Sequence, residues 1–308
     1  MISTWKSLTL NSGFIASSNY LRQIESGLIS KGRSNFQNNF EINIVDRRQN
    51  KKKISRYEPL FDWPTNSKDW SLDSSTGLFM HDHVENIIGV DEREKVDNIK
   101  VWPFSSIGLL SIKFPAGSGT ATATLIDGQY LITAAHCVYM KKYGGWIKAA
   151  RFAPASFLGQ MPFGFGDACK IWVHEEWINN ENSDFDIALI CIDNNFSSTC
   201  GYLAVAALDD LHLIHKGILI CGYPADRDHA QNQYMGKDFL TGIEQTRIGY
   251  VIDTYESQSG SAVMLIDNTV DPYCIVGVHT KGSYTQNSAT RIRNDMLKDI
   301  FDLMINPL

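Results

Sequence analysis

Cysteine is scarce in this chain, with six among 308 residues, too few for a disulfide scaffold. Cys169, Cys191, Cys200 and Cys221 show no metal-ligand spacing, and His212, His215 and the pair His81 and His83 lack companion ligands, so no metal and no cofactor are expected. No run approaches the ~18 consecutive apolar residues of a membrane-spanning helix. A strong charge of either sign is also missing: the net charge is -6, which argues against general attraction to nucleic acid phosphates or to anionic lipid. Residues 1 to 28 contain one early lysine, Lys6, but no continuous apolar segment, because Asn11, Ser12, Ser17, Ser18, Asn19 and Arg22 interrupt it. No conventional signal peptide is read, which leaves unconventional export, an intracellular location or a misplaced start as alternatives. With 44% hydrophobic and 20% charged residues, the composition suits a soluble enzyme or binding protein whose length allows one large core or two.

What is present divides the chain in two. Residues 1 to 85 are rich in Asn and Ser and carry 11 Lys+Arg against 9 Asp+Glu, whereas residues 86 to 308 carry 17 against 25. The early segment includes a basic cluster at Arg47, Arg48, Lys51, Lys52 and Lys53, read as a solvated loop. From Val101 onward, short apolar or alternating runs follow one another: Ile107 to Phe114, Ala121 to Ile126, Tyr130 to Ala134, Ile187 to Ile192, Gly217 to Cys221, Ala262 to Ile266 and Cys274 to Val278. Turn residues separate them at Pro115-Ala-Gly117, Asp127-Gly128 and Asp193-Asn-Asn195. This is the texture of an all-β sandwich or barrels. Asn294 to Met304 places Met296, Leu297, Ile300, Phe301 and Met304 at helical spacing, predicting a C-terminal amphipathic helix. No internal repeat is visible.

Three fragments carry chemistry. Leu131-Ile-Thr-Ala-Ala-His-Cys137 runs a strand into a histidine. Asp184-Phe-Asp186-Ile-Ala-Leu-Ile190 runs an acid into an apolar strand, where burial penalises a carboxylate unless it is hydrogen-bonded. Ser257-Gln-Ser-Gly-Ser-Ala262 sets a hydroxyl among small residues between strands. Together they supply a base, an orienting acid and a nucleophile, in the chain order His, Asp, Ser.

Thr133-Ala-Ala-His-Cys137, Asp186-Ile-Ala-Leu189 and Ser259-Gly-Ser261 closely resemble the three catalytic motifs of chymotrypsin-like serine peptidases, and the nearest likeness is to the glutamyl endopeptidase branch. Asp253-Thr-Tyr-Glu-Ser-Gln-Ser-Gly-Ser-Ala-Val263 is similar to that branch's nucleophile segment, and Val278-His-Thr280 to its specificity segment. Ile87-Ile-Gly-Val-Asp-Glu-Arg93 is similar to the start of its mature enzymes, and Gly222-Tyr-Pro224 also matches. The resemblance implies two six-stranded antiparallel β-barrels with a C-terminal helix over residues 86 to 308, behind an N-terminal propeptide or accessory segment at 1 to 85. It implies a serine endopeptidase with His136, Asp186 and Ser259 as the triad and the backbone N–H groups of Ser257 and Ser259 as the oxyanion hole. Thr254, His279 and Thr280 are then the residues that bind a substrate carboxylate, giving preference for Glu or Asp before the cleaved bond. Expected partners are protein or peptide substrates, with no nucleic acid and no membrane, and a monomer is expected.

Alternatives remain at particular residues. Asp184 rivals Asp186, two residues away on the same side of an extended chain. Asp253 lies six residues before the nucleophile, where trypsin-type enzymes bind Lys or Arg. Glu256 and Ser257 replace two glycines beside the oxyanion hole, so a side chain there opposes the backbone conformation needed and a catalytically impaired, protein-binding homologue is the opposing class. Gln258 stands where trypsin-type zymogens place the aspartate that captures a new N-terminus. Cys137 and Cys274 have Ala121 and Asp271 where the family places partners, which favours a disulfide-free protein, although the family is mostly secreted. Glu85 precedes Asn86, so a glutamate-specific enzyme could cut there for itself.

Overall fold

Pro115 and Ala116 make the first tight turn, proline suiting a position where φ is fixed and no ladder N–H is required. Around it Ile107–Phe114 (β1) and Gly117–Asp127 (β2) form a hairpin, with Phe114 opposite Gly117. Tyr130–Thr133 (β3) returns across Gly128 and Gln129. Ala149–Pro154 (β4), Gly166–His174 (β5) and Ala188–Ile192 (β6) complete the order β4-β1-β2-β3-β6-β5, and β4 pairs with β5 to close a barrel.

The second barrel repeats this connectivity. Its strands are Gly217–Gly222 (β7), Tyr234–Ile243 (β8), Arg247–Tyr250 (β9), Ala262–Leu265 (β10), Ile275–Gly282 (β11) and Asn287–Arg291 (β12). They run β10-β7-β8-β9-β12-β11, and β10 pairs with β11. The chain is therefore a pair of closed six-stranded antiparallel barrels with a C-terminal helix, a chymotrypsin-like fold.

The computed structural model describes residues 87–266 and 272–305, with the backbone of short strands at Lys6–Leu10, Phe14–Ala16, Ile42–Asp46 and Tyr57–Pro59. The basic cluster at 47 to 53, His81, His83, the Glu85-Asn86 junction and Asp271 lie outside the described residues.

Two-sided burial explains why several strands read as unbroken apolar runs. In β7, Ile218 and Ile220 enter the core of the second barrel, while Leu219 and Cys221 join the larger cluster that links the barrels. In β10, Val263 and Leu265 face that same barrel core, and Ala262 and Met264 face the other way. Period-two alternation thus divides one strand between two cores.

β4, β5, β8, β9 and β12 have no comparable run and were not legible in the sequence. Asn287–Arg291 is the extreme case, with Ala289 as its one apolar residue. It buries Asn287 and Arg291 by giving them acceptors: Asn287 Nδ2 donates to the Ile252 carbonyl at 2.8 Å, and Arg291 Nη2 to that of Leu208 at 2.7 Å. The C-terminal helix, Asn294–Ile305, buries Met296, Ile300 and Leu303 in the cluster containing the first barrel, and the Tyr130 hydroxyl donates to the Met304 carbonyl at 3.2 Å.

Candidate active site

The site lies between the barrels because the loops that leave β3, enter β6 and enter β10 converge there. β3 ends in a single 3₁₀ turn, Ala135–Cys137, which presents His136 directly after the ladder. On the other side, Ser183–Phe185 forms a second 3₁₀ turn, with the Asn182 side chain accepting from the Asp184 N–H, and delivers Asp186 just before β6. β3 and β6 are neighbours, Thr133 pairing with Ala188, so the histidine and the acid meet at the same end of one ladder.

Asp186 engages His136 twice. Its Oδ1 accepts the His136 backbone N–H at 2.9 Å, and its Oδ2 lies 2.7 Å from Nδ1. Both residues are buried. Burial works against charging the imidazole, but the Asp186 carboxylate and the neighbouring Cys137 together hold the His136 pKa well above the ordinary histidine value. Fixing Nδ1 leaves Nε2 as the ring nitrogen that can take a proton from a nucleophile. Asp184 is occupied elsewhere: its carboxylate accepts from the Thr246 hydroxyl at 2.9 Å, and its carbonyl from Arg293.

The turn that carries Ser259 is held to both barrels. Gly260 N–H donates to the His279 carbonyl at 2.9 Å, and His279 N–H to the Ser261 carbonyl at 2.8 Å. From the first barrel, Thr122 N–H donates to the Ser259 carbonyl at 3.0 Å. Gly260 has φ +86°, and a Cβ there would stand 2.1 Å from Thr133 Oγ1 and 2.3 Å from the Thr122 carbonyl oxygen. Only glycine lets the turn close onto the strand that leads to His136.

Ser257 adopts the left-handed conformation that the family's glycine would take, at φ +76°. For a residue with a side chain this costs roughly 1–3 kcal/mol. Two contacts offset it: Ser257 Oγ donates to Thr120 Oγ1 at 2.7 Å, and the Ser257 carbonyl accepts from Thr122 Oγ1 at 3.0 Å. Thr120 and Thr122 were not singled out from the sequence. Their signal is the alternation Thr120-Ala-Thr-Ala-Thr124 within β2, a row of hydroxyls on one strand face.

The other residues divide by strand face. His279 is buried on β11, and the Tyr250 hydroxyl lies 2.5 Å from its Nδ1. Thr254 is buried too, and its hydroxyl has no hydrogen-bond partner among the described residues. Thr280, next along β11, accepts from Arg247 Nη2 at 3.0 Å, on the side that also contains Thr290 and the Ser183 carbonyl. The structure therefore does not place its hydroxyl with His279. Asp253 spends both carboxylate oxygens on main-chain donors, accepting Ile88 N–H at 2.6 Å and Glu92 N–H at 2.9 Å.

None of the six cysteines forms a disulfide. Burial raises the Cys221 thiol pKa, as expected for a thiol packed between two barrels.

A paired barrel fold carrying a buried His–Asp couple beside a serine turn defines the serine peptidases of chymotrypsin-like architecture. The trypsin family model matches residues 107–294, and the chain belongs to that family. Two curated relatives come from bacilli. One, called a glutamyl endopeptidase, is from Bacillus licheniformis and is 27% identical over 230 residues, covering 72% of this chain and 69% of that protein. The other, called an extracellular metalloprotease, is from Bacillus subtilis and is 26% identical over 217 residues, covering 70% and 68%. Among the described residues no three His, Cys, Asp or Glu side chains gather where they could hold a metal ion.

Among solved structures, a Glu endopeptidase in complex with MPD matches with a TM-score of 0.64 and 28% identity, covering 71% of this chain and all of that one. The protease Anisep from Arthrobacter nicotinovorans shares the fold at a TM-score of 0.58 and 14% identity, covering 68% and 97%. The molecule is a trypsin-like serine peptidase near the glutamyl endopeptidase branch.

Proposed function

We propose that the protein is an endopeptidase that cuts after Glu, and less readily after Asp, through an acyl-enzyme on Ser259. His136 takes the serine proton during attack and returns it to the leaving amine, while Asp186 keeps the imidazole in one tautomer and stabilises its charged form. The Ser257 and Ser259 backbone N–H groups are assigned to the oxyanion, and Ser257's left-handed conformation supports that use despite its side chain. Residues 1 to 85 are assigned to a propeptide or accessory segment, with Glu85-Asn86 as a self-processing junction, and protein or peptide chains are the assigned partners of a monomer.

The observation that carries the Glu reading is the placement of His279. Its backbone is bonded to Gly260 and Ser261, the two residues that follow Ser259, and Tyr250 fixes its ring through Nδ1. Nε2 is then the atom assigned to the substrate carboxylate, with the buried Thr254 hydroxyl as a second donor. A Lys or Arg preference is disfavoured because Asp253, the residue that would supply it, is satisfied by two main-chain amides.

A panel of peptides differing only in the residue before the cleaved bond tests this reading. Efficient cleavage after Lys or Arg and none after Glu would overturn it. His279→Ala is expected to lower kcat/KM for Glu peptides by roughly 10- to 100-fold, the worth of a charge-assisted hydrogen bond, while changing phosphonylation of Ser259 by a small fluorophosphonate far less.

A further inference from the structure

The short segment 88–93 grips the loop before the nucleophile at both of its ends. At one end, Asp253 accepts Ile88 N–H and Glu92 N–H. At the other, Arg93 Nη1 lies 3.3 Å from Gln258 Oε1, and that same oxygen accepts Tyr255 N–H at 3.0 Å. Both partners are donors, so the Gln258 side chain must present its oxygen to them, and its orientation is determined. Gln258 directly precedes Ser259, and its own N–H closes the turn onto the Tyr255 carbonyl at 3.0 Å.

Arg93 is built into this position. Its side chain is 1% exposed, and it meets two carboxylates in forked fashion, Asp91 through Nε and Nη2 at 3.0 and 2.9 Å and Asp226 through Nη1 and Nη2 at 3.0 and 2.5 Å. Asp226 belongs to the loop that follows Gly222-Tyr-Pro224, and the neighbouring Ala225 N–H donates to the Glu256 carbonyl at 2.8 Å. A buried guanidinium so paired is a rigid donor, and its last N–H is spent on the residue before the nucleophile.

We propose that Arg93 is a positioning residue for the nucleophile turn, acting through Gln258 to hold residues 255–259 in the conformation that aims the Ser257 and Ser259 N–H groups at one point. Gln258 thus does with a neutral amide what an ion pair could do, because its charged partner is already balanced by Asp91 and Asp226. The inference rests on the peptidase reading above, since the value of the conformation lies in acyl transfer.

The test compares the full-length wild type with Arg93→Met, Gln258→Leu and Arg227→Met. Arg227 pairs with Asp91 in the same network but does not touch Gln258, so its variant reports general loosening. For Arg93→Met and Gln258→Leu, kcat and the fluorophosphonate labelling rate of Ser259 are expected to fall together on the order of 10- to 100-fold, the cost of misdirected donors, with KM changed less than about threefold. Arg227→Met is expected to keep both rates within about twofold. Gln258→Leu retains the paired guanidinium and decides the matter if Arg93→Met fails to fold. A kcat within twofold of wild type in folded Gln258→Leu overturns the proposal. A wild type that neither labels nor cleaves peptides overturns the peptidase reading instead. Hydrogen exchange at the amides of residues 255–261 is independent of activity: faster exchange in Gln258→Leu supports the positioning role, and unchanged exchange overturns it.

Discussion

Asp186 holds His136 by both carboxylate oxygens, one on the backbone N–H at 2.9 Å and one 2.7 Å from Nδ1. The first contact fixes where the residue sits and the second leaves Nε2 as the ring nitrogen for the proposed proton transfer from the serine. Substituting Asp186→Asn keeps the shape but replaces one acceptor with a donor that favours the wrong tautomer. A drop in kcat of roughly 10,000-fold is expected from peptide hydrolysis, with KM changed little.

The same pair sets the pH profile. His136 acts as base only when neutral, and Asp186 raises its pKa above the ordinary value of about 6.5. The acidic limb of kcat/KM should therefore have its midpoint above pH 6.5 and move down toward it in Asp186→Asn, as measured on the residual activity. A wild-type midpoint below 6.5 would contradict the proposed balance between burial and the carboxylate.

Stability carries the opposite sign of dependence. A histidine whose folded pKa is raised contributes stability that is complete below its unfolded pKa and is lost as pH rises through the folded one. Each unit between the two is worth about 1.4 kcal/mol. In Ser259→Ala, used to prevent self-digestion, the urea midpoint should decline as pH rises from 6.5 through the folded pKa. Adding Asp186→Asn should flatten that decline.

Gly260 leaves no room for substitution. A methyl group at this left-handed position would overlap Thr133 Oγ1 and the Thr122 carbonyl oxygen, and the second of these is backbone and cannot turn aside. Gly260→Ala is expected to abolish labelling of Ser259 and to lower stability by about 2 kcal/mol or more through strain and overpacking. Chemical denaturation in the Ser259→Ala background measures the second effect.

Thr122 joins the barrels through its side chain as well as its backbone. Thr122 Oγ1 donates to the Ser257 carbonyl and accepts Tyr223 N–H, each at 3.0 Å. Thr122→Val preserves volume while leaving a buried carbonyl and a buried N–H unmatched. A loss of about 1–3 kcal/mol per unmatched group bounds the expected destabilisation. Because the Ser257 peptide is then less firmly held, kcat should fall more than KM rises.

The contiguous motifs were legible because their chemistry is local: a strand ending in His136, a strand beginning after Asp186 and a small-residue turn around Ser259 each read in the linear chain. So did the barrel strands buried on two faces, since unbroken apolar runs such as Gly217 to Cys221 announce them. Strands satisfied by hydrogen bonds, Asn287–Arg291 above all, left no apolar trace and became visible only through their ladders.

Tertiary structure alone decided the relationships among distant residues. Asp184 and Asp186 share one side of an extended chain, where only the resemblance favours Asp186, and the turn at Ser183–Phe185 sends one to Thr246 and the other to His136. Asp253 could have served a cationic substrate by position, but the fold brings Ile88 and Glu92 to it across more than 160 residues. The hydroxyl row of Thr120 and Thr122 has meaning only when the second barrel lays Ser257 against it. Sequence encodes which groups are available and the local geometry of each; which groups meet depends on the docking of two cores whose contacting strands lie far apart in the chain.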